Sequence, residues 1–346
     1  MHHAYELALK GWGKVSPNPM VGAVVIKSGK VIAQGWHSFC GGPHAEAMAL
    51  TKAGAKAKGA DLYITLEPCS HYGRTPPCTN AIIKAGIKRV FVGVRDPNPR
   101  MNGQSIKLLK KAGITVEVGF LAEELIKLNE VFDKYIRTGM PFVTAKIAQT
   151  IDGRIATLKG ESQWITSVGS RQYGRNLRQG VDAILVGVNT VIKDNPRLEA
   201  EPRKPYFKVI LDTHLKTPVH AKLFTGTKPE QVLIFTAARK NKPLKATIIQ
   251  APLKQGRIDL KWVLSYLAKQ EIAHVLIEGG GQVIGNALTN QLIDKMMIYV
   301  APKLMGEGLS GVSGLKIKDL KQMITITNMT TMHLGDDMLV VGYLKL

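Results

Sequence analysis

The sequence of 346 residues is poor in cysteine, in acidic residues and in long apolar runs, and each deficit excludes a class of protein. Three cysteines are too few for the disulfide framework of a small secreted protein. No apolar run approaches the roughly 18 residues of a transmembrane helix, and no hydrophobic signal region follows Met1. We therefore expect a cytoplasmic protein that is not associated with a membrane.

The deficit of acidic residues leaves the chain strongly basic. Lys and Arg number 47 against 26 Asp and Glu, a formal net charge of +21, and both halves of the chain are basic. A basic surface attracts nucleic acids and phosphorylated small molecules alike. Charge alone does not separate these two ligand classes.

Length and composition predict two globular domains. A chain of this length is too long for one ordinary core, and its 45% hydrophobic and 21% charged residues are typical of globular proteins. Predicted strands and helices alternate, which is typical of an α/β fold. A continuous helix is predicted over residues 122–137, and the Thr-Gly-Met-Pro stretch after it predicts domains at 1–140 and 141–346.

One constellation of residues indicates a catalytic metal. His44 begins a predicted helix, Cys69 follows a predicted strand at 61–66, and Cys78 lies at the start of a second predicted helix. One imidazole and two thiolates suit a zinc ion that keeps a fourth position for water. Glu46, which does not bind the metal, can then transfer protons as general base and acid. The order of these residues is similar to that of zinc deaminases of nucleobases.

Two other functions are alternatives to this interpretation. A deaminase of nucleic-acid bases with an appended domain would account for the charge, and it predicts RNA binding that weakens strongly with salt. A nucleotide-binding or structural zinc protein without catalysis would hold zinc with four protein ligands, and the motif offers no fourth. The third cysteine, Cys40, is interpreted as a packed thiol.

A second motif lies in the other half of the chain. The turn Gly279-Gly280-Gly281 separates a predicted strand at 275–277 from a predicted helix at 283–292. Backbone amides at such a turn can hold a phosphate at the helix N-terminus. The pattern is not the Gly-x-Gly-x-x-Gly dinucleotide fingerprint, and a glycine turn alone is more often structural.

Longer stretches of the chain resemble one enzyme family. SPNPMVGAVV, GGPHAE, EPCSHYGRTPPC and VRDPNPRMNG are similar to the deaminase half of the bifunctional riboflavin-biosynthesis deaminase/reductases. KIAQTIDGRIA, SQWITS, ILVGVNTVIKDNPRL and LIEGGGQVIGNAL are similar to the reductase half. The resemblance implies a cytidine-deaminase-like αβα domain followed by a dihydrofolate-reductase-like α/β domain.

The resemblance also implies the reactions. The first is zinc-dependent deamination of a diaminopyrimidinone that carries a phosphoribosylamino group. The second is reduction of the ribosyl group to ribityl by NADPH. We expect the chain to bind a phosphorylated pyrimidine substrate and to bind neither nucleic acid nor a membrane. We also expect it to form a homo-oligomer.

Residue roles follow from the matched motifs. In the deaminase half, the resemblance implies metal ligands His44, Cys69 and Cys78, catalytic Glu46, and substrate contacts from Asn18, His37, His71 and Arg74. In the reductase half, the implied cofactor residues are Ala148, Trp164, Thr190, Asp194, Thr213, Gly280, Gly281, Gln282, Val283, Ile284, Gly285 and Asn286. The implied substrate residues there are Ser162, Arg178, Leu198 and Glu278, with Arg178 as partner of the phosphate.

The chain departs from the family pattern at one position. Where the family often has an arginine shortly after Asn-Pro-x-Leu, this chain has Glu201, with Arg197 and Arg203 on either side. The sequence therefore does not decide which cationic side chain completes the phosphate site. Lys146 and Asp152 are candidates for organising the site or for a structural role.

Overall fold

The computed structural model describes residues 1–71, 76–99, 101–200, 205–239 and 242–344. The chain divides into two units, Met1–Met140 and Pro141–Leu346. Within the described residues, each helix is too short or too polar to cross a membrane.

The first unit is a five-stranded sheet in the order β2-β1-β3-β4-β5. β1 pairs antiparallel with β2 and β3, whereas β3, β4 and β5 are parallel. The strands are β1 (Gly22–Lys27), β2 (Lys30–Trp36), β3 (Asp61–Leu66), β4 (Arg89–Val94) and β5 (Thr115–Val118). The helices are α1 (His2–Leu9), α2 (Ala45–Ala53), α3 (Cys78–Lys84), α4 (Gln104–Lys111), α5 (Ala122–Leu128) and α6 (Glu130–Thr138).

Helices cover both faces of this sheet because successive strand residues point to opposite sides. Val24 packs with Leu7 of α1 in one apolar cluster. Val25 belongs to a second cluster with Ala49 of α2 and Leu109 of α4. The first unit therefore has the three-layered αβα arrangement that was predicted.

The continuous helix predicted over residues 122–137 is wrong, because Asn129 divides it into α5 and α6. The Asn129 backbone leaves the helical region, with φ −107° and ψ 23°. Its side-chain Oδ1 accepts a hydrogen bond from Met20 N at 2.8 Å, and its Nδ2 donates to Met20 O at 3.0 Å. A contact 109 residues away in the chain therefore sets the break, and helical periodicity does not report such a contact.

The second unit is built on a nine-stranded sheet in the order β11-β10-β9-β8-β14-β6-β15-β18-β17. The strands from β11 to β15 in this order are parallel, and β18 and β17 are antiparallel. Two small pairs, β7 with β16 and β12 with β13, stand outside the sheet. The parallel strands are mostly apolar and buried, as both faces of a parallel sheet require.

The strands of the second unit are β6 (Phe142–Thr150), β7 (Arg154–Ala156), β8 (Ala183–Gly187), β9 (Phe207–Leu211), β10 (Val232–Thr236), β11 (Thr247–Gln250), β12 (Leu253–Lys254), β13 (Arg257–Ile258), β14 (His274–Glu278), β15 (Lys295–Ala301), β16 (Leu309–Ser310), β17 (Ile326–Leu334) and β18 (Asp337–Leu344). The helices are α7 (Val168–Leu177), α8 (Val188–Asp194), α9 (Leu260–Lys269) and α10 (Gly281–Thr289).

Replacement of Asn129 by Ala should destabilise the protein by about 1–3 kcal/mol, because both main-chain groups of Met20 lose their partner in a largely buried position. Urea unfolding followed by circular dichroism measures the change. The matched control is Asn102→Ala, at an exposed position of the same unit. Equal unfolding midpoints for the two variants would contradict the role of Asn129.

Candidate active sites

Three side chains of the first unit lie together as a candidate metal site. The Nδ1 atom of His44 is 3.2 Å from Sγ of Cys78 and 3.5 Å from Sγ of Cys69, and all three atoms lie within 4.8 Å of one another. Tetrahedral zinc, with bonds of about 2.3 Å to sulfur and 2.0–2.1 Å to nitrogen, separates these donors by roughly 3.6 Å. The three donors therefore fit a zinc ion. Among the described residues, no further His, Cys, Asp or Glu joins the cluster.

Local structure places each of the three donors. His44 is the N-cap of α2, in an extended conformation with φ −70° and ψ 156°. Cys69 follows the end of β3, and Cys78 is the first residue of α3, as predicted. The backbone N–H of Cys78 donates to Sγ of Cys69 at 3.2 Å. A helix N-terminus with a free amide favours a thiolate over a thiol.

The pKa values of the two thiols are shifted in opposite directions. The hydrogen bond from the Cys78 thiol, assisted by the His44 ring, lowers the pKa of the Cys69 thiol to about 4 although burial opposes this. The same hydrogen bond and burial raise the pKa of the Cys78 thiol, and the hydrogen bond to Cys69 raises the pKa of His44. A metal cation would take the place of these protons, because thiolate and neutral imidazole are the ligating forms.

Glu46 lies in the first turn of α2 beside this cluster, with only 3% of its surface exposed. Burial, and then the negative charge of Cys69, raise the pKa of its carboxyl group to about 7. A carboxyl group with such a pKa can both accept and donate a proton near neutral pH, which suits a general acid and base.

Asn18 and His37 form a hydrogen-bonded pair next to the candidate zinc ligands. The ring centroids of His37 and His44 are 5.7 Å apart. The carbonyl of Pro43 can only accept, so the His37 Nδ1 at 3.1 Å must carry the hydrogen. Burial lowers the pKa of His37, and in the neutral ring Nε2 is an acceptor for Asn18 Nδ2 at 3.1 Å. His37 thus holds the Asn18 amide in one orientation.

The other two predicted substrate contacts belong to the segment between the two cysteines. His71 packs against Met101, with Nδ1 3.0 Å from the thioether sulfur. Arg74 lies outside the described residues.

Glu67 supports the metal site, and its role was not predicted. Its carboxylate accepts hydrogen bonds from the backbone N–H groups of Asp96, Gly103 and Ser105 and from Ser105 Oγ, at 2.7–3.3 Å. These bonds tie the region before α4 to the end of β3, where Met101 meets His71. A charged residue directly after a buried strand is the only signal of this role in the sequence.

The second unit contains a cavity of about 750 Å³ along the carboxyl ends of β6, β8, β9 and β14. The predicted cofactor residues that line it are Ala148, Trp164, Thr190, Asp194, Thr213, Gly280, Gly281, Gln282, Val283, Ile284 and Asn286. The predicted substrate residues Ser162, Arg178, Leu198 and Glu278 also line it. Gly285 is buried in α10 and packs against Ser313, whose carbonyl oxygen would lie 1.9 Å from an added Cβ.

The glycine turn forms one wall of this cavity, between β14 and α10. Gly279 and Gly280 have positive φ values of 78° and 70°, which favour glycine. At Gly281, the first residue of α10, an added Cβ would lie 2.3 Å from the Ser310 carbonyl oxygen. The bare backbone at this helix N-terminus is suited to a phosphate group.

Basic side chains outnumber acidic ones in the lining of the cavity. Three carboxylates, Asp194, Asp212 and Glu278, lie among six cationic side chains, which are Lys146, Arg171, Arg178, Lys193, Lys216 and Arg257. All three carboxylates have hydrogen-bond partners. The excess of positive charge suits a ligand with several anionic groups.

Arg178 and Glu278 form a bidentate ion pair with contacts of 2.7 and 2.8 Å. Burial opposes ionisation of Glu278, but the Arg178 guanidinium outweighs it and lowers the pKa of this carboxyl group. Lys146 is the neighbouring cation, and burial lowers its pKa. This buried group of charges lies in the wall of the cavity.

The segment that presents Leu198 is held at three consecutive carbonyl groups, those of residues 197, 198 and 199. They accept hydrogen bonds from Lys208 Nζ at 2.7 Å, from the Tyr206 hydroxyl, and from Arg178 Nη1 at 2.6 Å. Leu198 itself has a positive φ of 53°, unusual for a residue with a branched side chain. These bonds hold its side chain in the cavity lining.

Three residues lie at or beside the position where the family often has an arginine, and the structure describes only one of them, Arg197. Glu201 and Arg203 lie outside the described residues. Arg197 is exposed, lies 4.0 Å from the Glu199 carboxylate, and is not in the cavity lining. Asp152 does not line the cavity either, and its carboxylate accepts from Thr150 Oγ1 and from backbone N–H groups of residues 305 and 306, which is a structural role.

Comparison with known proteins assigns the two units to known families. Residues 141–340 match the family profile described as RibD C-terminal domain, and residues 1–94 match the cytidine and deoxycytidylate deaminase zinc-binding region. The riboflavin biosynthesis protein RibD of Aquifex aeolicus is 45% identical over 98% of this chain and 96% of its own length. The Escherichia coli RibD protein is 38% identical over 93% of both chains.

Two solved structures extend these similarities to the fold. Acinetobacter baumannii RibD is 36% identical with a TM-score of 0.89, covering 100% of this chain and 98% of its own. A Thermotoga maritima protein described as diaminohydroxyphosphoribosylaminopyrimidine deaminase/5-amino-6-(5-phosphoribosylamino)uracil reductase is 37% identical with a TM-score of 0.87, covering 100% and 97%. The predicted α/β fold, with a deaminase domain before a reductase domain, is confirmed.

Replacement of Cys78 by Ser should remove the bound zinc, because a hydroxyl is a poor ligand for this ion compared with a thiolate. Metal analysis of the purified chain should give about one zinc per wild-type chain and much less in the variant. Cys40→Ser is the matched control, and it should keep its zinc because Cys40 is outside the cluster. Zinc loss in the Cys40 variant alone would contradict the assignment.

Proposed function

Because the chain belongs to the RibD family of riboflavin biosynthesis proteins, we propose that it catalyses two consecutive reactions. The first is deamination of 2,5-diamino-6-(5-phosphoribosylamino)pyrimidin-4-one. The second is NADPH-dependent reduction of the ribosyl group of 5-amino-6-(5-phosphoribosylamino)uracil to ribityl. The observation that carries the proposal has two parts. One unit contains three metal-ligating side chains beside a buried carboxyl group, and the other contains a cavity with an excess of cationic side chains and a glycine turn.

The deaminase reaction replaces a ring amino group by oxygen from water. The cluster of His44, Cys69 and Cys78 would hold the zinc ion, which would supply positive charge that lowers the pKa of the attacking water. Glu46 would take one proton from the attacking water and pass it to the departing amino group, so that a C–O bond forms, the C–N bond breaks and ammonia leaves, while the other water proton stays with the pyrimidine product. Asn18, oriented by His37, offers the rest of its amide group to the pyrimidine ring.

In the reductase reaction NADPH would supply a hydride to C1′ of the sugar. The C1′–O4′ bond breaks, which opens the ribose ring, and O4′ takes a proton from solvent. The chain's contribution is to position two polyanionic molecules and exclude water. The glycine turn would hold a phosphate of the cofactor at the N-terminus of α10. Lys146 and the Arg178–Glu278 pair form a buried group of charges for the phosphorylated substrate.

Several other properties stay predictions. NADPH as the reductant, a cytoplasmic location, a homo-oligomer and the lack of a nucleic-acid partner are expected from the sequence and from the resemblance.

The function is tested with the purified full chain, the diaminopyrimidinone and NADPH, with ammonia release and NADPH oxidation followed together. We expect ammonia first and NADPH oxidation after a lag, because the reductase acts on the deaminated product. NADPH oxidation without ammonia release, or no reaction with either reagent, would argue against the proposal.

Replacement of Glu46 by Gln should lower ammonia release at least about 100-fold, because general acid–base catalysis of this kind contributes a factor of roughly 10²–10⁴. Reduction of the separately supplied deaminated intermediate should stay at the wild-type rate. Glu117→Gln, an exposed position on β5, is the matched control and should leave both rates unchanged. Loss of both activities in a folded, zinc-loaded Glu46 variant would exclude two separate sites.

Replacement of Arg178 by Lys should lower kcat/KM of the reductase by about tenfold or more, because lysine keeps the charge but cannot form the bidentate pair with Glu278. Initial rates of NADPH oxidation on the deaminated intermediate measure this. Ammonia release by the same variant is the internal control, and Arg239→Lys, at an exposed position outside the cavity lining, is the matched one. A reductase of wild-type efficiency would contradict the role of Arg178.

A further inference from the structure

The main chain of Asn129 belongs to the two helices that it divides, and its side chain reaches a different part of the first unit. Its backbone N–H donates to the Leu125 carbonyl at 3.2 Å, and its own carbonyl accepts from Asp133 N at 2.9 Å. Its side-chain amide accepts from Met20 N at 2.8 Å and donates to Met20 O at 3.0 Å. One amide group thus makes with Met20 the two-bond exchange that joins paired residues of antiparallel strands.

Helix α5 is a fixed base for this side chain. Leu125 lies about one helical turn before Asn129 and is fully buried. It packs so closely on β4 that a Cβ added to Gly93 would lie 2.1 Å from the Leu125 Cδ1 atom. Residues four apart share one face of a helix, so the packing of Leu125 turns Asn129 toward the sheet. Because α5 has this apolar anchor of its own, the two bonds from Asn129 act on the segment that contains Met20.

Met20 is stiffly linked to Asn18, one of the predicted substrate contacts. Pro19 lies between the two residues, and its ring fixes φ. A residue that precedes a proline is restricted as well, and Asn18 is such a residue, with Pro17 on its other side. Few backbone torsions can therefore absorb a displacement of Met20 before it reaches Asn18.

The chain that follows Met20 is tied to His37, the partner of Asn18. The Val21 carbonyl accepts a hydrogen bond from His37 N at 2.9 Å, and the pairing of β1 with β2 begins at the next residue. Met20 is thus two residues from Asn18, and its immediate neighbour is hydrogen-bonded to His37. The position of the Met20 main chain sets the distance between the two members of the pair.

A small displacement would break this pair. Asn18 Nδ2 and His37 Nε2 are 3.1 Å apart, so an increase of about 0.5 Å takes them beyond hydrogen-bond distance. The other ring nitrogen of His37 is held by the Pro43 carbonyl at 3.1 Å, directly before the zinc ligand His44. The imidazole is therefore fixed relative to the zinc ligands, and Asn18 is the member that would move.

On the basis of the proposed deaminase reaction, we infer that Asn129 is a positioning residue for that reaction. Its amide fixes the main chain of Met20, and the stiff segment before Met20 then presents the Asn18 amide to the pyrimidine ring in the orientation that His37 holds. Asn129 acts through these residues, and its effect is on the binding of the substrate ring.

Steady-state ammonia release by the full chain tests this role. Asn129→Asp places an oxygen where the Nδ2 donor faces the Met20 carbonyl. It should raise KM for the diaminopyrimidinone about tenfold, the effect of one lost hydrogen bond, and change kcat less than about threefold. The zinc content should stay at the wild-type level. Ile87→Ala, which opens a cavity in the core beside the start of β4, is the control for lost stability and should keep the wild-type KM.

A double-mutant cycle with Asn18→Ala separates positioning from a general loss of stability. Asn18→Ala alone should raise KM, and Asn129→Asp added to it should raise KM less than about twofold further, because the positioned group is already absent. Effects of the two substitutions that simply multiply would overturn the role of Asn129. A wild-type KM in a folded, zinc-loaded Asn129 variant would overturn it as well.

Pro19→Ala provides a test that leaves Asn129 in place, and it decides the matter if the Asn129 variants unfold or lose zinc. Freeing φ between Asn18 and Met20 should raise KM while zinc is retained, and a wild-type KM would overturn the stiff link on which the inference depends. If the wild-type chain releases no ammonia from the diaminopyrimidinone, the proposed deaminase reaction itself fails. If it releases ammonia and the variants keep its KM, only the positioning role fails.

Discussion

Both sites depend on one geometric constraint, which is that parallel strands end at the same edge of their sheet. In the first unit, Cys69 follows the end of β3, and the helices α2 and α3 bring His44 and Cys78 to it with their N-termini. In the second unit, the ends of β6, β8, β9 and β14 line one cavity. Helix N-termini at such an edge provide positive potential, which favours thiolate in one unit and phosphate in the other.

The two units use buried carboxyl groups in opposite ways. At Glu46, burial and the negative charge of Cys69 outweigh the opposing charge of His44 and raise the pKa of the carboxyl group to about 7, so that it can carry a proton. The Glu278 side chain is 12% exposed, and the Arg178 guanidinium lowers the pKa of its carboxyl group and keeps it ionised. A glutamate carboxyl group is thus suited to proton transfer in the first unit and is a fixed negative charge in the second, where a guanidinium lies within 3 Å.

Local signals in the sequence predicted much of this structure. Alternating strands and helices predicted an α/β fold, and the spacing of His44, Cys69 and Cys78 predicted a cluster that the fold assembles. The αβα layering of the first unit was implied by the resemblance. The lining of the second cavity could be predicted only through resemblance, because a glycine turn alone is weak evidence. Even that resemblance placed Gly285 with the cofactor residues, whereas it packs against Ser313.

The features that could not be predicted depend on contacts distant in the chain. Asn129 divides a helix because it binds Met20, and Glu67 holds a segment more than 25 residues away. Strand β17 was not predicted because most of its residues are exposed and show no apolar alternation.

The central claim is that two independent sites in one chain act in sequence. It is tested most directly by removing zinc with a chelator and measuring NADPH oxidation with each of the two substrates. The stripped chain should oxidise NADPH with the deaminated intermediate at the wild-type rate, and with the diaminopyrimidinone only after zinc is restored. The claim would be contradicted if the zinc-free chain, which releases no ammonia, still oxidised NADPH with the diaminopyrimidinone. It would also be contradicted if the second reaction needed zinc in a chain that stays folded.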